Sequence, residues 1–278
     1  MNPALFFVHV PKCGGTAVRV ALAQSSQFVL GPKYFGPRAI PEPERVDMAP
    51  ARLAEIYSIP ELHELATKGV AVGGHVLAIS AAEAGYSNLV TTVREPRARL
   101  LSLYRYWQSM ADQGLLQDHG SRGKWIVEAT NHSLKEFLEL GEEHLDVDNG
   151  LSNYLRPNQG FRSRLGFCPR SSKISLRAFW TNEIGDLVDE ALRQSNQDVP
   201  SGSVHVDRTN VTKVERQLEV LDRETMHLLQ RRTTRDKRCL TALMRRGQLS
   251  YRSTAELERE FQSAASHLGF KLNENSSH

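Results

Sequence analysis

Three features are scarce in this sequence of 278 residues: cysteine, long apolar runs and an excess of charge of one sign. Its cysteines are Cys13, Cys168 and Cys239, too few for a disulfide framework, so we expect a reducing, cytoplasmic location. No apolar run approaches the ~20 residues that a membrane-spanning helix needs, so no stable membrane insertion is expected. The net charge of +3 is too small to indicate general nucleic-acid binding.

Two further patterns are missing from the sequence. The first ten residues show no basic segment followed by an apolar one, so we expect no secretory signal peptide. No spacing of cysteines, histidines and acidic residues resembles a metal site, so no metal is expected. The hydrophobic content of 40% and the charged content of 24% are those of an ordinary globular protein.

The most distinctive segment follows an apolar run of strand length, Leu5–Val10. The run ends in a Gly-Gly turn that contains one lysine, and a helical pattern over 17–24 comes directly after it. Glycines let backbone N–H groups approach an anion, the helix N-terminus carries partial positive charge, and the lysine adds a full one. The segment therefore predicts a phosphate or sulfate site. Its residues are Pro11, Lys12, Cys13, Gly14, Gly15 and Thr16.

The order of lysine and glycines distinguishes this segment from an ATP-binding P-loop. In the Walker A pattern the lysine follows the second glycine, whereas Lys12 precedes both glycines. We therefore expect Lys12 to approach an anion from the strand side. From these residues alone, an ordinary tight strand–helix turn with an exposed lysine remains an alternative interpretation.

Strand and helix patterns alternate along the chain. This alternation predicts an α/β fold with a mostly parallel central sheet covered on both faces. We predict a single domain over 1–278, with variable loops at about 31–50 and 111–170 and a helical C-terminal part at about 211–270. Strands are predicted over 5–10, 69–73, 88–93 and 176–180, an aperiodic loop over 111–132, and helices over 17–24, 51–67, from 96 onward, 133–140, 148–155, 183–194, 211–232 and 253–268.

A second candidate binding cluster follows the predicted strand 88–93. Arg94 offers a planar guanidinium that suits phosphate oxygens. Ser102 lies eight residues later, about two helical turns along, and can share a helix face with polar groups near the helix start. Arg97 and Arg99 are interpreted as solvated surface charge, or in the case of Arg99 as the partner of an acid. Both clusters fall at carboxyl ends of predicted strands, where parallel sheets bind ligands.

The two motifs VPKCGGT and VREPRARLLSLY together resemble the sulfotransferase superfamily, and most closely its carbohydrate branch, which includes the heparan sulfate 2-O-sulfotransferases. The resemblance implies a three-layer α/β sandwich with a P-loop-like loop that binds 3′-phosphoadenosine 5′-phosphosulfate (PAPS). It implies that Pro11–Thr16 binds the 5′-phosphosulfate, with Lys12 as the catalytic lysine. Arg94 and Ser102 are then the residues that bind the 3′-phosphate, and adenosine 3′,5′-bisphosphate is the product.

A histidine lies between the two motifs. The segment Gly74–Val76 resembles the family's Gly-His-Val segment, whose histidine is the proposed base, so the resemblance implies that His75 is the catalytic base. His9 falls within the first predicted strand and is interpreted as structural. Weaker similarities occur at Asp148-Asn149, Tyr154-Leu155, Thr181-Asn182-Glu183 and His205–Thr209.

These observations favour a PAPS-dependent sulfotransferase that transfers a sulfuryl group to a hydroxyl of a small-molecule or glycan acceptor. The acceptor is expected to be a carbohydrate, a lipid or a secondary metabolite. One alternative is a P-loop-like nucleotide-dependent kinase, against which the position of Lys12 and the lack of a hydroxyl directly after it argue. Another is a non-catalytic module that binds anionic glycans through the basic run 231–246, which we otherwise interpret as a solvated helix face.

Overall fold

The computed structural model of the chain describes residues 5–23, 28–30, 59–112, 121–141, 144, 146–155, 174–194 and 218–272. The chain folds into two compact units, each built from three chain segments. Unit 1 comprises 1–93, 151–210 and 239–251, and unit 2 comprises 94–150, 211–238 and 252–278.

Strands and helices alternate through most of the described sequence. The strands are β1 (Leu5–Val8), β2 (Phe28–Leu30), β3 (Ala71–Gly74), β4 (Asn88–Val93), β5 (Ser175–Trp180), β6 (Glu219–Leu221) and β7 (Phe270–Leu272). The helices are α1 (Gly15–Ala23), α2 (Ile59–Thr67), α3 (Ala78–Glu83), α4 (Pro96–Asp112), α5 (Ser121–Asn131), α6 (Leu134–Leu140), α7 (Gly150–Leu155), α8 (Ile184–Gln194), α9 (Arg223–Arg232), α10 (Thr234–Arg245) and α11 (Thr254–His267).

Unit 1 is built on a five-stranded sheet in the order β2-β3-β1-β4-β5. Every neighbouring pair of strands in it is parallel. The central strand β1 is apolar at all four positions and fully buried, as expected for a parallel strand covered on both faces. The predicted α/β fold with a parallel central sheet is thus confirmed.

The core of unit 1 lies between this sheet and two helices that follow strand ends. Val18 and Leu22 of α1 pack with Leu187 of α8 against Phe7 and Val90 of the sheet. Because α1 and α8 also pack against each other, the turn that precedes each helix is held by a buried apolar contact.

Unit 2 is helical, with the long helix α4 at its centre. Leu100, Tyr104 and Trp107 follow one another at helical spacing and are buried together with Phe137 of α6 and Phe261 of α11. A two-stranded parallel ladder, β6 with β7, completes this unit. Among the described helices of the chain, none has the length and apolar character that a membrane crossing requires.

Most predicted elements are confirmed, but two are wrong. Residues 111–132 were expected to be aperiodic, yet α4 runs to Asp112 and α5 fills Ser121–Asn131, with its Ile126 and Ala129 buried at helical spacing. Residues 211–232 were expected to be helical throughout, yet β6 precedes α9 because Leu221 is buried beside β7. The proline-rich stretch 31–50 lies outside the described residues.

Candidate functional site

The loop between β1 and α1 turns sharply through two left-handed residues, Lys12 with φ 64° and Gly14 with φ 75°. The N–H of Cys13 donates to the carbonyl of Val10 at 3.4 Å, and the carbonyl of Gly14 accepts the N–H of Ala17 at 3.0 Å. Helix α1 therefore begins directly at the end of the turn. A turn between a strand and a helix N-terminus is a common place for anions to bind.

A side chain is disfavoured at each glycine of the loop, for a different structural reason. A Cβ on Gly14 would lie 2.8 Å from Cδ1 of Ile184 and 3.4 Å from Cγ2 of Thr181, and its φ already disfavours a side chain. A Cβ on Gly15 would lie 1.9 Å from Cδ2 of His9. The backbone of the loop is thus pressed against neighbouring side chains at both glycines.

The turn between β5 and α8 supports the loop from behind. Its residues, Thr181–Glu183, form a 3₁₀ helix. The same three residues are among the weaker sequence similarities described above. The Glu183 carboxylate accepts the Trp180 N–H at 3.0 Å and the Ser250 hydroxyl at 2.7 Å. This turn therefore holds a fixed conformation where it meets Gly14.

His75 follows the last residue of β3, next to the end of β1. Its ring stacks on the ring of His9, with the centroids 3.9 Å apart and the planes 23° from parallel. The His9 N–H donates to the carbonyl of Gly74 at 2.9 Å. Tyr154 of α7 meets His75 edge-on at 6.4 Å between centroids. His9 lies beyond β1 rather than inside it, which corrects its predicted position.

A buried hydroxyl fixes the end of β1 where the loop begins. Thr91 of β4 lies opposite Val8 in the sheet register and donates its hydroxyl to the Val8 carbonyl at 2.8 Å. Gly74 lies opposite Val8 on the other side. The segments that carry Lys12 and His75 consequently leave the sheet at the same edge, as parallel strands require.

Unit 1 thus places Lys12, the backbone of the loop after β1 and the imidazole of His75 along one edge of its sheet. The Lys12 side chain is half-buried, the Thr16 side chain is exposed at the start of α1, and Cys13 is fully buried. His75 is 8% exposed. Within the part of the chain that the structure describes, no group of three or more His, Cys, Asp or Glu side chains is arranged to hold a metal ion.

Arg94 and Ser102 belong to unit 2. Arg94 comes directly after β4 and its side chain is half-buried, whereas Ser102 lies in the second turn of α4 and is 6% exposed. The predicted site residues are therefore divided between units, with the loop residues and His75 in unit 1. The sequence missed His9, whose ring contacts both the loop and His75, because a histidine beside a strand has no distinctive spacing.

The turn that carries Arg94 is held by a buried charged network. The Glu95 carboxylate accepts the Ala98 N–H at 2.7 Å, which caps α4, and the Arg97 Nε at 2.8 Å. Arg97 also donates to Glu258 at 2.8 Å and lies 4.0 Å above the Phe261 ring. Burial raises the pKa of Glu95 and the charge of Arg97 partly offsets this.

Two arginines expected to be solvated are instead buried. Arg97 is 5% exposed and Arg99 is 0% exposed. The Arg99 Nη2 donates to the carbonyl of Asp146 at 2.6 Å, and a Cβ on Gly150 would lie 2.5 Å from the same Nη2 atom. Both guanidinium groups therefore lie inside unit 2, where Arg97 pairs with carboxylates and Arg99 donates from Nη2 to a backbone carbonyl.

The basic run 231–246 is only partly a solvated face. Arg232 is 2% exposed and donates to the carbonyls of Leu138 and Glu139. Arg235 is half-buried and pairs with Asp148. The interpretation as solvated charge is therefore wrong for these two. It is confirmed for the exposed residues of the run, Arg231, Arg238, Arg245 and Arg246.

Comparison with known proteins finds no match from which a function could be inferred. The chain matches no family model, no curated protein and no solved structure. A function for this protein is consequently inferred from its own residues and their geometry.

Proposed function

We propose that this protein is a PAPS-dependent sulfotransferase that transfers a sulfuryl group to a hydroxyl of its acceptor. The observation that supports this most strongly is the edge of the unit 1 sheet, where the loop that carries the left-handed Lys12 contacts His9 at Gly15, and His75 stacks on His9. A cationic loop next to an imidazole combines an anion site with a proton acceptor.

The proposal assigns a sulfate or phosphate group to the loop. Neither Gly14 nor Gly15 has room for a Cβ, because the side chains of Ile184 and His9 occupy that space and hold the loop backbone in place. The proposal includes a P-loop-like role for Pro11–Thr16. It also includes a three-layer α/β sandwich for unit 1. In this proposal, the loop amides and the Thr16 hydroxyl donate hydrogen bonds to the 5′-phosphosulfate.

The proposed chemistry requires two residues with opposite tasks. PAPS, when bound, supplies an activated sulfuryl group on a phosphate leaving group. Lys12 stabilises the negative charge that develops on the bridging oxygen of that phosphate. His75 accepts the proton from the acceptor hydroxyl, a task suited to an imidazole, whose ordinary pKa is about 6.5. Most of the catalysis is then positioning and electrostatics.

The remaining assignments in the proposal come from the motif resemblance. Arg94 and Ser102 bind the 3′-phosphate, a group that ATP lacks. The acceptor is a small molecule or glycan with a free hydroxyl, of the carbohydrate, lipid or secondary-metabolite class. No metal ion is required, because lysine and arginine balance the charge of the donor.

A binding measurement separates the proposal from a kinase. Adenosine 3′,5′-bisphosphate without Mg²⁺ should raise the melting temperature of the protein, since a ligand that binds only the folded state stabilises it. A larger effect from ATP with Mg²⁺ would instead favour the nucleotide kinase. Stabilisation by anionic glycans alone, without turnover, would favour a glycan-binding module.

A transfer assay tests the roles of Lys12 and His75. Radiolabelled PAPS is incubated with panels of sugar, lipid and secondary-metabolite hydroxyls, using the wild type, Lys12→Ala and His75→Gln. We expect both variants to lose at least about 100-fold in kcat, the scale of one lost electrostatic or acid–base group. Lys68→Ala, at an exposed position in the turn after α2, and His227→Gln, at an exposed position of α9, serve as controls. Full activity of Lys12→Ala would contradict the mechanism.

A further inference from the structure

One side chain contacts both parts of the unit 1 site. His9 is 5% exposed, and its ring lies against the backbone of Gly15 and also stacks on the ring of His75. A third ring, that of Phe7, stacks near His9 at 5.8 Å with the planes 24° from parallel. The order of contact is therefore loop, His9, then His75.

We propose that His9 is a positioning residue that sets the distance and orientation of His75 relative to the anion-binding loop. This inference rests on the proposed function, since it deepens the role of the same site. Its evidence is steric: a ring that leaves no room for a Cβ at Gly15 and stacks at 3.9 Å on His75 fixes the separation of its two neighbours.

The contact between the two histidines uses the faces of their rings. Ring N–H groups donate in the ring plane, whereas planes only 23° from parallel at 3.9 Å place one face over the other. The stacking contact is thus not a path for a proton between the rings. His9 therefore meets His75 with the face of its ring, so another flat ring at this position should preserve the spacing.

A backbone hydrogen bond from the His9 N–H to the Gly74 carbonyl also holds His9 beside the segment that carries His75. Gly74 precedes His75 directly, so backbone and ring of His9 both hold the same short segment. A shift of the loop at Gly15 is expected to move the His75 ring with it. Misplacement of a reacting group by about 1 Å is enough to reduce a rate about 100-fold.

Two variants of His9 test the role by their kinetics. In His9→Ala we expect kcat for sulfuryl transfer to fall about 10- to 100-fold, with little change in KM for PAPS, because the loop backbone remains. His9→Phe should restore most of the lost kcat. Wild-type kcat in His9→Ala would overturn the proposal, and so would a His9→Phe variant as slow as His9→Ala.

A stability cycle tests the same contact without activity. Gly15→Ala forces a Cβ against the His9 ring and should lower the melting temperature, whereas His9→Ala/Gly15→Ala should be less affected than the sum of its single variants. Additive effects would overturn the steric link. If the wild type transfers no sulfuryl group, the proposed function fails, while this cycle still decides whether the His9 ring is packed against the loop at Gly15.

Discussion

Gly14 and Gly15 are adjacent, yet they meet different structural demands. Gly14 has a left-handed backbone and faces Ile184, whereas the backbone of Gly15 is ordinary and only its lack of a side chain matters. The same residue type therefore supplies conformational freedom at one position and space at the next. Lys12 is left-handed as well, and it bears the full steric cost because it has a side chain.

Gly14→Ala should destabilise the protein. The left-handed backbone costs an alanine about 1–2 kcal/mol, and the contact of its Cβ with Ile184 adds to this. Urea unfolding of the variant and the wild type measures the difference. Gly185→Ala, in α8, is the matched control, because its Cβ would have no atom within 4 Å. A Gly14→Ala variant as stable as this control would contradict the explanation.

At the scale of elements, buried carboxylates and exposed caps fix where the helices of unit 2 begin. Glu95 caps α4 from a buried position, and Asp222 caps α9 at the surface by accepting the Thr225 N–H at 2.8 Å. Asn149, with φ 52°, accepts the Arg235 N–H and so caps α10 from a distant part of the chain. The caps at Glu95 and Asp222 are local, since each accepts an N–H three residues along the chain, whereas the cap from Asn149 depends on a tertiary contact.

Arg97→Met should destabilise unit 2 by about 3–5 kcal/mol near pH 7, because it leaves a buried carboxylate without its ion partner. Burial already raises the pKa of Glu95, and loss of Arg97 raises it further. A carboxyl group with a raised folded pKa binds a proton more readily in the folded state, so the variant should regain stability as pH falls toward about 5.

The measurement is the free energy of unfolding of Arg97→Met relative to the wild type at both pH values. The double variant Glu95→Gln/Arg97→Met keeps an oxygen for the Ala98 N–H but has no carboxyl to titrate. Its stability should therefore change less with pH than that of Arg97→Met. An equal deficit of Arg97→Met at both pH values would show that Glu95 is not the titrating group.

Asp222 provides the opposite sign of pH dependence. The Thr225 backbone N–H lowers the pKa of the Asp222 carboxyl, so its stabilisation is present above the unfolded pKa and is lost as pH falls through the folded one. Asp222→Ala should cost about 1 kcal/mol near neutral pH. Asp222→Asn should retain the cap and lose less stability on acidification than the wild type. Identical acid profiles of wild type and Asp222→Asn would contradict this.

The accuracy of the sequence predictions depended on how local the determining contacts are. β4 was predicted at its observed bounds, since its apolar residues and the following Pro96 act within one short segment. β6 was missed because its pairing with Phe270–Leu272 lies far along the chain. The loop at Lys12 was predicted by local chemistry, whereas the stacking of His9 on His75 requires β1 and β3 to be neighbours.

At the scale of the whole molecule, the two units are interleaved in sequence. Each has three chain segments, so the chain passes from one unit to the other five times. If unit 1 unfolded alone, its segments 151–210 and 239–251 would become unfolded loops whose ends unit 2 holds together. Closing such loops costs chain entropy. We therefore expect both units to unfold in one transition.

Tryptophan fluorescence can test this expectation. Trp180 is in unit 1, and Trp107 and Trp125 are in unit 2. Trp107→Phe/Trp125→Phe then reports on unit 1 and Trp180→Phe on unit 2. In each variant the fluorescence transition in urea should coincide with that of far-UV circular dichroism. Separate midpoints within either variant would show that the units unfold independently.

The left-handed conformation of Lys12 has a consequence for selection. Glycine or asparagine would relieve this backbone most, so a library varied at position 12 and screened for thermal resistance should become enriched in those residues. A library screened for sulfuryl transfer should retain lysine. If the two libraries select different residues at position 12, Lys12 is a residue that activity retains at the expense of folding stability.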